Sequence, residues 1–180
     1  MKLDTEKAWL EGVRRYPSPH CDDRPEGVEI ELLVIHGISL PPGEFGGPYI
    51  DQLFSHTLDK NAHPDFADIA DLRVSAHLLI RRRGEITQYV SLQQRAWHAG
   101  VSSFAGRRRC NDFSIGVELE GCDDVPYTDE QYEQLARLIG ILRQAWPVLS
   151  PDRIVGHSDI APGRKTDPGP AFDWGRLPSS

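Results

Sequence analysis

The sequence has few cysteines, no excess of basic charge and no long apolar run, and each shortage argues against a class of protein. Its three cysteines, Cys21, Cys110 and Cys122, form no CxxC pair, so neither a disulfide framework nor a cysteine-rich zinc finger is expected. A formal net charge of -7 argues against nucleic-acid binding, which relies on a basic surface to neutralise phosphates. No stretch approaches the ~20 apolar residues of a membrane span, so no membrane partner is expected.

The remaining composition is that of one ordinary globular domain. A chain of 180 residues is near the usual size of a domain and can bury a stable core without disulfide bonds or structural metal ions. Hydrophobic residues make up 39% and charged residues 26%, which is the balance of a soluble protein. Residues 1–20 lack the apolar core and cleavage site of a secretory signal. We therefore expect a single domain over 1–180 in the cytoplasm, with reduced thiols, acting as a monomer.

Two short apolar strands each end at a histidine. The stretch "ELLVIHGIS" predicts a buried strand from Leu32 to Ile35 that ends at His36, and "RIVGH" predicts a strand that delivers His157. Functional groups often cluster at one edge of a sheet, where loops vary without disturbing the core. The two histidines are therefore candidates for one site.

The other elements complete an alternation of strands and helices. A helix is predicted from Pro48 to about Leu58, and "VSAHLLIRRRGEITQYV" predicts a hairpin with a solvated Arg81–Arg83 tip. A second helix is predicted in "TDEQYEQLARLIGILRQAW", which has a capping-box pattern and apolar residues at helical spacing before a proline. This order predicts an α/β fold with a mixed central β-sheet flanked by helices.

The loop "GHSDIAPGRKTDPGP" is rich in glycine and proline and carries the residues of a metal site. A catalytic zinc ion takes three protein ligands from His, Asp and Glu and leaves a fourth position for water. His36, His157 and Asp167 would supply such a set if the loop folds back. Taken singly, His157 is as well explained as a hydrogen-bonded histidine and Asp167 as the start of a turn.

A metal-bound water also needs a proton acceptor and a group that stabilises negative charge. "FSIGVELEG" alternates, so Glu118 and Glu120 share the face opposite the apolar residues of the strand. Spacing alone does not choose between these two carboxylates as the base, and the alternative is a half-exposed strand with acidic residues facing water. Lys165 lies two residues before Asp167 and is a candidate for stabilising an oxyanion. The polar run Arg107–Arg109 is open to two interpretations, a solvated loop or a site for an anionic ligand.

Four long stretches carry a resemblance to a known family. They are "VIHGISLPPGEFGGPYID", "NAHPDFADIADLRVSAHLLIRRRGEITQYV", "RAWHAGVSSFAGRRRCNDFSIGVELEG" and "GHSDIAPGRKTDPGP". They resemble the branch of the zinc amidases that cleaves 1,6-anhydro-N-acetylmuramyl-L-alanine in bacterial cell-wall recycling. The resemblance extends from Tyr16 to Phe172 and implies the fold of phage-type amidases and peptidoglycan recognition proteins.

The resemblance also implies a role for each candidate residue. It implies Zn2+ held by His36, His157 and Asp167, with an anhydro-muropeptide as the substrate. Glu118 becomes the catalytic carboxylate, Glu120 a structural one, and Lys165 the oxyanion-stabilising cation. Substrate contacts are implied for Arg73, Trp97 and Arg109, with the arginines gripping carboxylates of the stem peptide.

The resemblance leaves two rival functions and one departure. The rivals are a peptidoglycan-binding module that does not cut its ligand, and an amidase that attacks intact cell wall. The departure is Gly37 in "HGIS", where relatives often have asparagine, so a side-chain amide that would bond the sugar is missing. In a cell, this activity would alter the levels of muropeptides. In some bacteria these muropeptides control β-lactamase expression, so the consequence depends on the host.

Overall fold

The computed structural model describes residues 1–178, and their twelve strands and three α-helices form an α/β arrangement. The strands, in chain order, are β1 (Lys2–Asp4), β2 (Trp9–Glu11), β3 (Arg14–Arg15), β4 (Cys21–Asp23), β5 (Leu32–Ile38), β6 (Leu78–Ile80), β7 (Ile86–Gln88), β8 (Gln94–Ala96), β9 (Ser103–Phe104), β10 (Arg107–Arg108), β11 (Ser114–Glu120) and β12 (Ile154–Gly156). The α-helices are α1 (Tyr49–Phe54), α2 (Asp129–Ala145) and α3 (His157–Ile160). Within the part of the chain so described, no helix is both long and apolar enough to cross a membrane.

A six-stranded mixed sheet forms the centre, in the order β12-β5-β11-β6-β7-β3. The strands β12, β5, β11 and β6 pair in parallel with one another, whereas β6 and β7 form the predicted antiparallel hairpin. In parallel pairs the carboxyl ends of the strands meet at the same edge. The mixed sheet flanked by helices that the sequence predicts is therefore confirmed.

Helix α2 covers one face of this sheet. Its apolar residues Leu135, Leu138 and Leu142 pack against Leu33 of β5 and Val117 of β11 in the main core. The predicted capping box is present, since the Thr128 hydroxyl accepts a hydrogen bond from the Gln131 amide and the Gln131 side chain accepts one from the Thr128 amide. Such a cap contributes about 1 kcal/mol to helix stability, and it fixes where α2 begins.

The opposite face of the sheet carries the polar residues of the parallel strands. His36 of β5 and Glu118 of β11 are direct neighbours in the strand register. Short elements cover this face, including α1, whose Leu53 and Phe54 pack with Leu79 in a second apolar cluster. All seven residues of β11 are buried, so the alternative of a half-exposed strand is wrong.

Two local predictions need correction. The first helix is shorter than predicted and spans Tyr49–Phe54, because His56 adopts a left-handed conformation with φ 60° that ends the turn. The tip Arg81–Arg83 is not simply solvated. The guanidinium of Arg81 lies 3.0 Å from the Glu120 carboxylate and 3.2 Å from that of Asp51, so this arginine ties the hairpin to β11 and α1.

A buried histidine, His77, lies at the start of the hairpin and packs under β11. The Gly116 amide donates to its Nδ1 at 3.0 Å, and its Nε2 lies 3.0 Å from the carbonyl oxygen of Gln94. Burial, reinforced by the nearby charge of Arg24, lowers the pKa of His77 to about 3. The folded protein therefore keeps this ring neutral over a pH range in which the unfolded chain protonates it.

Replacement of His77 by asparagine should flatten the acid dependence of stability. An unfolded histidine has a pKa of about 6.5, so wild-type stability falls from about pH 6.5 down towards the folded pKa, by about 1.4 kcal/mol per unit. Between pH 6.5 and 4.5 the wild type should lose about 2 kcal/mol more than His77→Asn, as measured by urea unfolding with a chelator present. Equal losses in both proteins would show that His77 is not held neutral.

Candidate active site

Three polar side chains converge at the carboxyl edge of the parallel strands. His36 lies in β5, and His157 is the first residue of α3, directly after β12. Because β5 and β12 are parallel neighbours, their ends deliver both rings to one place. Asp167 reaches the same point from the loop that follows α3.

Backbone and side-chain contacts hold the loop that carries Asp167. The Ser158 amide donates to the carbonyl oxygen of Asp167 at 3.0 Å, and the buried Tyr127 hydroxyl donates to that of Pro168 at 2.9 Å. The Tyr127 hydroxyl fills the space that a Cβ atom at Gly37 would occupy. Gly37 therefore allows the tyrosine to hold the loop, in addition to removing the amide expected from relatives.

The donor atoms fit a single metal ion. The His36 Nδ1 lies 3.0 Å from the His157 Nδ1 and 3.2 Å from the Asp167 Oδ2, and the third separation is 3.1 Å. Tetrahedral zinc with bonds of about 2.0–2.1 Å places its ligands roughly 3.3 Å apart, so the triangle needs little adjustment. Three protein donors leave a fourth position open, as catalytic zinc sites do.

The protonation states of the three donors also suit a metal. Burial lowers the pKa of His36 to about 4, although its hydrogen bond with Asp167 acts the other way. Burial by itself raises the pKa of Asp167, but hydrogen bonds with His157 and His36 outweigh it and hold that pKa well below its usual range. The site therefore offers a neutral ring at His36 and an ionised carboxylate at neutral pH, which are the forms that bind a cation.

Glu118 stands beside the donor set as a buried carboxyl group without a partner. Its Oε2 is fully enclosed and makes no hydrogen bond, and the residue is 8% exposed. Burial raises the pKa of Glu118 well above its ordinary value, the charge of Asp167 raises it further, and Lys165 lowers it. A carboxyl group with a raised pKa next to a candidate metal site is suited to proton transfer.

Glu120, on the same face of β11, is fully engaged in structural contacts. It accepts hydrogen bonds from the Gly46 amide at 2.7 Å, the Arg82 amide at 3.2 Å and the Arg81 guanidinium at 3.0 Å. The spacing in the sequence does not separate Glu118 from Glu120, but the structure does. Of the two glutamates, only Glu118 lines the same cavity as the donor set, and its Oε2 has no hydrogen-bond partner.

A cavity of about 220 Å³ opens onto the donor set and Glu118. Lys165 and Trp97 both line it. The Trp97 indole donates to Asp22 at 3.1 Å and stacks on His20 with ring centroids 6.0 Å apart, so its position is fixed. Apolar walls complete the cavity and come from Ile38, Leu53, Phe54, Leu72 and Val74.

The two arginines implied as substrate contacts do not line this cavity. Arg73 is exposed. The Arg109 side chain is 71% exposed and lies 3.3 Å from the Asp112 carboxylate. Its neighbour Arg107 is paired with Glu31 and lies over the ring of Phe113. Substrate contacts by Arg73 and Arg109 stay predictions.

Sequence reasoning missed two residues that back the site, Tyr127 and His98. The His98 Nδ1 lies 2.9 Å from the outer nitrogen of His36, yet no spacing rule links residues 62 positions apart. One feature of the sequence does point to His98. Gly116 interrupts the polar face of β11 two residues before Glu118, and a glycine there leaves room for a ring.

The comparisons with known proteins identify the family and the fold. The model of a family described as N-acetylmuramoyl-L-alanine amidase matches residues 26–170. The chain is 63% identical, over 96% of its length and 93% of the relative, to the 1,6-anhydro-N-acetylmuramyl-L-alanine amidase AmpD of Escherichia coli K12. It superposes on a crystal structure of a selenomethionine AmpD derivative with a TM-score of 0.95 and 62% identity, covering 98% of this chain and 97% of that one.

The chain is also similar to a more distant protein whose structure was solved with a ligand. AmpDh3 of Pseudomonas aeruginosa in complex with anhydromuramic pentapeptide has a TM-score of 0.62 and 30% identity, covering 82% of this chain and 58% of that one. The fold and the site together define a hydrolase of the amidase type, built on a mixed α/β sheet. The chain belongs to the N-acetylmuramoyl-L-alanine amidase family.

Glutamine substitutions at the two glutamates should lower stability by different amounts. Glu118→Gln removes an unpaired buried carboxyl group, so the free energy of unfolding should stay within about 1 kcal/mol of wild type. Glu120→Gln places an amide NH2, itself a donor, against at least one of the three groups that donate to Glu120. The free energy of unfolding should therefore fall by about 2 kcal/mol. Urea unfolding at pH 7 measures both. A larger loss in Glu118→Gln than in Glu120→Gln would contradict the assignment of the two residues.

Proposed function

We propose that this amidase hydrolyses the amide bond between the lactyl group of (1,6-anhydro-)N-acetylmuramic acid and the L-alanine of a stem peptide, in muropeptide recycling. The observation that carries the proposal is the free, buried carboxyl group of Glu118 beside the converging donors His36, His157 and Asp167. The curated relative named for this activity is 63% identical over 96% of the chain, and the AmpDh3 structure was described with an anhydromuramic pentapeptide.

His36, His157 and Asp167 would hold a zinc ion. Two imidazole nitrogens and a carboxylate oxygen are donors that zinc takes in catalytic sites. When bound, the ion would lower the pKa of a coordinated water towards ~7 and polarise the scissile carbonyl. The protein's contribution is to hold the three donors 3.0–3.2 Å apart at the wall of the cavity that Glu118 and Lys165 also line.

Glu118 moves the proton in this mechanism. Its carboxylate accepts a proton from the attacking water and then passes it to the nitrogen of the leaving L-alanine, so the carboxylate is regenerated. The raised pKa of Glu118 suits both steps, because the group must accept a proton and then release it. Water's hydroxyl group remains on the lactyl carbonyl carbon, and the peptide leaves with a free amine.

Lys165 and Trp97 act on the substrate in the same cavity. The Lys165 ammonium group stabilises the oxyanion that forms when the carbonyl carbon becomes tetrahedral. Trp97 presents an aromatic wall to the sugar. The exposed side chains of Arg73 and Arg109 grip carboxylates of the stem peptide, which suits the planar guanidinium group.

The cellular setting is part of the same proposal. Anhydro-muropeptides are recycling intermediates, so we place the enzyme in the cytoplasm, acting as a monomer without a membrane partner. In a host whose β-lactamase expression responds to muropeptides, its activity would lower the inducing signal. Size-exclusion chromatography with light scattering tests the monomer.

The purified protein should contain one zinc per chain and should cleave anhydro-muramyl-tripeptide in preference to intact sacculus. Chelation should abolish release of free peptide, and added zinc should restore it. Elemental analysis and chromatography of the released peptide measure these results. Zinc with a strong preference for sacculus would indicate a wall-lytic amidase, and tight muropeptide binding without cleavage at any zinc level would indicate a binding module.

Loss of the Lys165 charge should slow turnover and shift its pH dependence. Lys165→Met should lower kcat by about a hundredfold, as loss of an oxyanion donor does elsewhere, with zinc content unchanged. Lys165 also lowers the pKa of Glu118, and the base works only when it is deprotonated. The acid limb of the kcat profile should therefore move to higher pH. Lys7→Met, an exposed lysine in the amino-terminal turn, is the control; equal profiles for both variants would exclude the role.

A further inference from the structure

The ring of His36 has one nitrogen facing the other metal donors and one facing away. Its Nδ1 points to His157 and Asp167, and its Nε2 lies 2.9 Å from the Nδ1 of His98. A neutral imidazole has one proton on its two nitrogens. If Nδ1 offers its lone pair to a metal, the proton must be on Nε2, and that N–H donates to the Nδ1 of His98.

The tautomer of His98 follows from the same reasoning. Since its Nδ1 accepts from His36, its own proton is on Nε2, which lies 3.1 Å from the hydroxyl oxygen of Ser114. The Nε2–H therefore donates to that oxygen. A chain of two hydrogen bonds therefore runs from His36 to His98 and from His98 to Ser114, the first residue of β11. Each residue donates to the next one.

The position of the His98 ring is fixed by its backbone and by the strand beneath it. The amides of His98 and Ala99 both donate to the side-chain oxygen of Asn111, at 3.1 and 2.8 Å. A Cβ atom at Gly116 would lie 2.5 Å from the His98 Cγ. Glycine at this position of β11 therefore makes room for the ring, which stands nearly perpendicular to His36 at 87°.

The outer ring nitrogens of His36 and His157 contact two adjacent residues, His98 and Ala99. One contact is to a side chain and the other is to the backbone. The His157 Nε2 lies 3.2 Å from the backbone carbonyl oxygen of Ala99, which no substitution removes. His36 depends instead on the side chain of His98. The support of His36 can therefore be changed without altering any metal donor.

We propose that His98 is a positioning residue for the metal site, whose Nδ1 fixes the tautomer and orientation in which His36 presents its own Nδ1 to the ion. The inference rests on the metal site proposed above and adds a residue that does not touch the metal. Hydrogen-bonding partners of this kind set metal affinity, and their loss costs about 10–100-fold.

The test compares zinc affinity in three variants of the full chain. His98→Leu removes the acceptor. His98→Asn keeps an oxygen close to the place of Nδ1, while His98→Gln moves its oxygen towards the place of Nε2. His77→Asn is the matched control, because His77 is also a buried histidine next to Gly116, whose amide donates to its Nδ1, and it makes no hydrogen bond to His36, His157 or Asp167. Zinc dissociation constants are measured on metal-stripped protein by competition with a chromophoric chelator, together with the Tm of each metal-free protein.

Loss of the acceptor in His98→Leu should raise the zinc dissociation constant by about 10–100-fold. His98→Asn should bind zinc with an affinity close to that of the wild type. His77→Asn should bind zinc as the wild type does. Wild-type affinity in a folded His98→Leu, or equal weakening in the leucine and asparagine variants, would overturn the role of the hydrogen bond. If His98→Leu does not fold, tighter binding by His98→Asn than by His98→Gln supports the role, and equal binding overturns it. A wild type that binds no zinc would instead overturn the metal site itself.

Discussion

The parallel pairing of β5 with β11 and β12 is the constraint on which the site depends. Parallel strands end at a common edge, so the polar residues near their carboxyl ends come together whatever the separation in sequence. The register places Glu118 directly beside His36, and β12 releases His157 into α3 at the same edge. The core formed by α2 with the other face of the sheet holds this register, because a slip of one residue would turn Glu118 into that apolar core.

Two carboxyl groups at this edge differ in how their burial is compensated. Asp167 lies within hydrogen-bond distance of two histidine rings, and their influence keeps its pKa low against the effect of burial. Glu118 has no partner for its enclosed oxygen, so no hydrogen bond offsets the burial and the charge of Asp167 that raise its pKa. The difference separates a group suited to holding a cation from one suited to moving a proton. A partner for Glu118 would lower its pKa and stabilise the fold, at the expense of its basicity.

The sequence was enough for the five strands β5, β6, β7, β11 and β12, for α2 and for the set of candidate residues, because each rests on a local pattern. The other seven strands were not predicted. The capping box at Thr128 and the alternation in β11 are readable from a few neighbouring letters. The roles of Arg81, His98 and Tyr127 are not, since each acts across the fold on a partner dozens of residues away. The choice of Glu118 over Glu120 required the resemblance, because both share one strand face and only tertiary contacts distinguish them.

Small residues next to the site explain why those distant contacts are possible. Gly116 admits the ring of His98 under the sheet, and Gly37 admits the Tyr127 hydroxyl that holds Pro168 beside Asp167. His36 and Asp167 are thus held from outside by side chains, whereas His157 is held by a backbone carbonyl. Donors fixed in this way lose little freedom when an ion binds, which favours a tight site. The departure at Gly37 therefore has a structural consequence as well as a chemical one, because a larger residue there must share its space with the tyrosine that positions a metal donor.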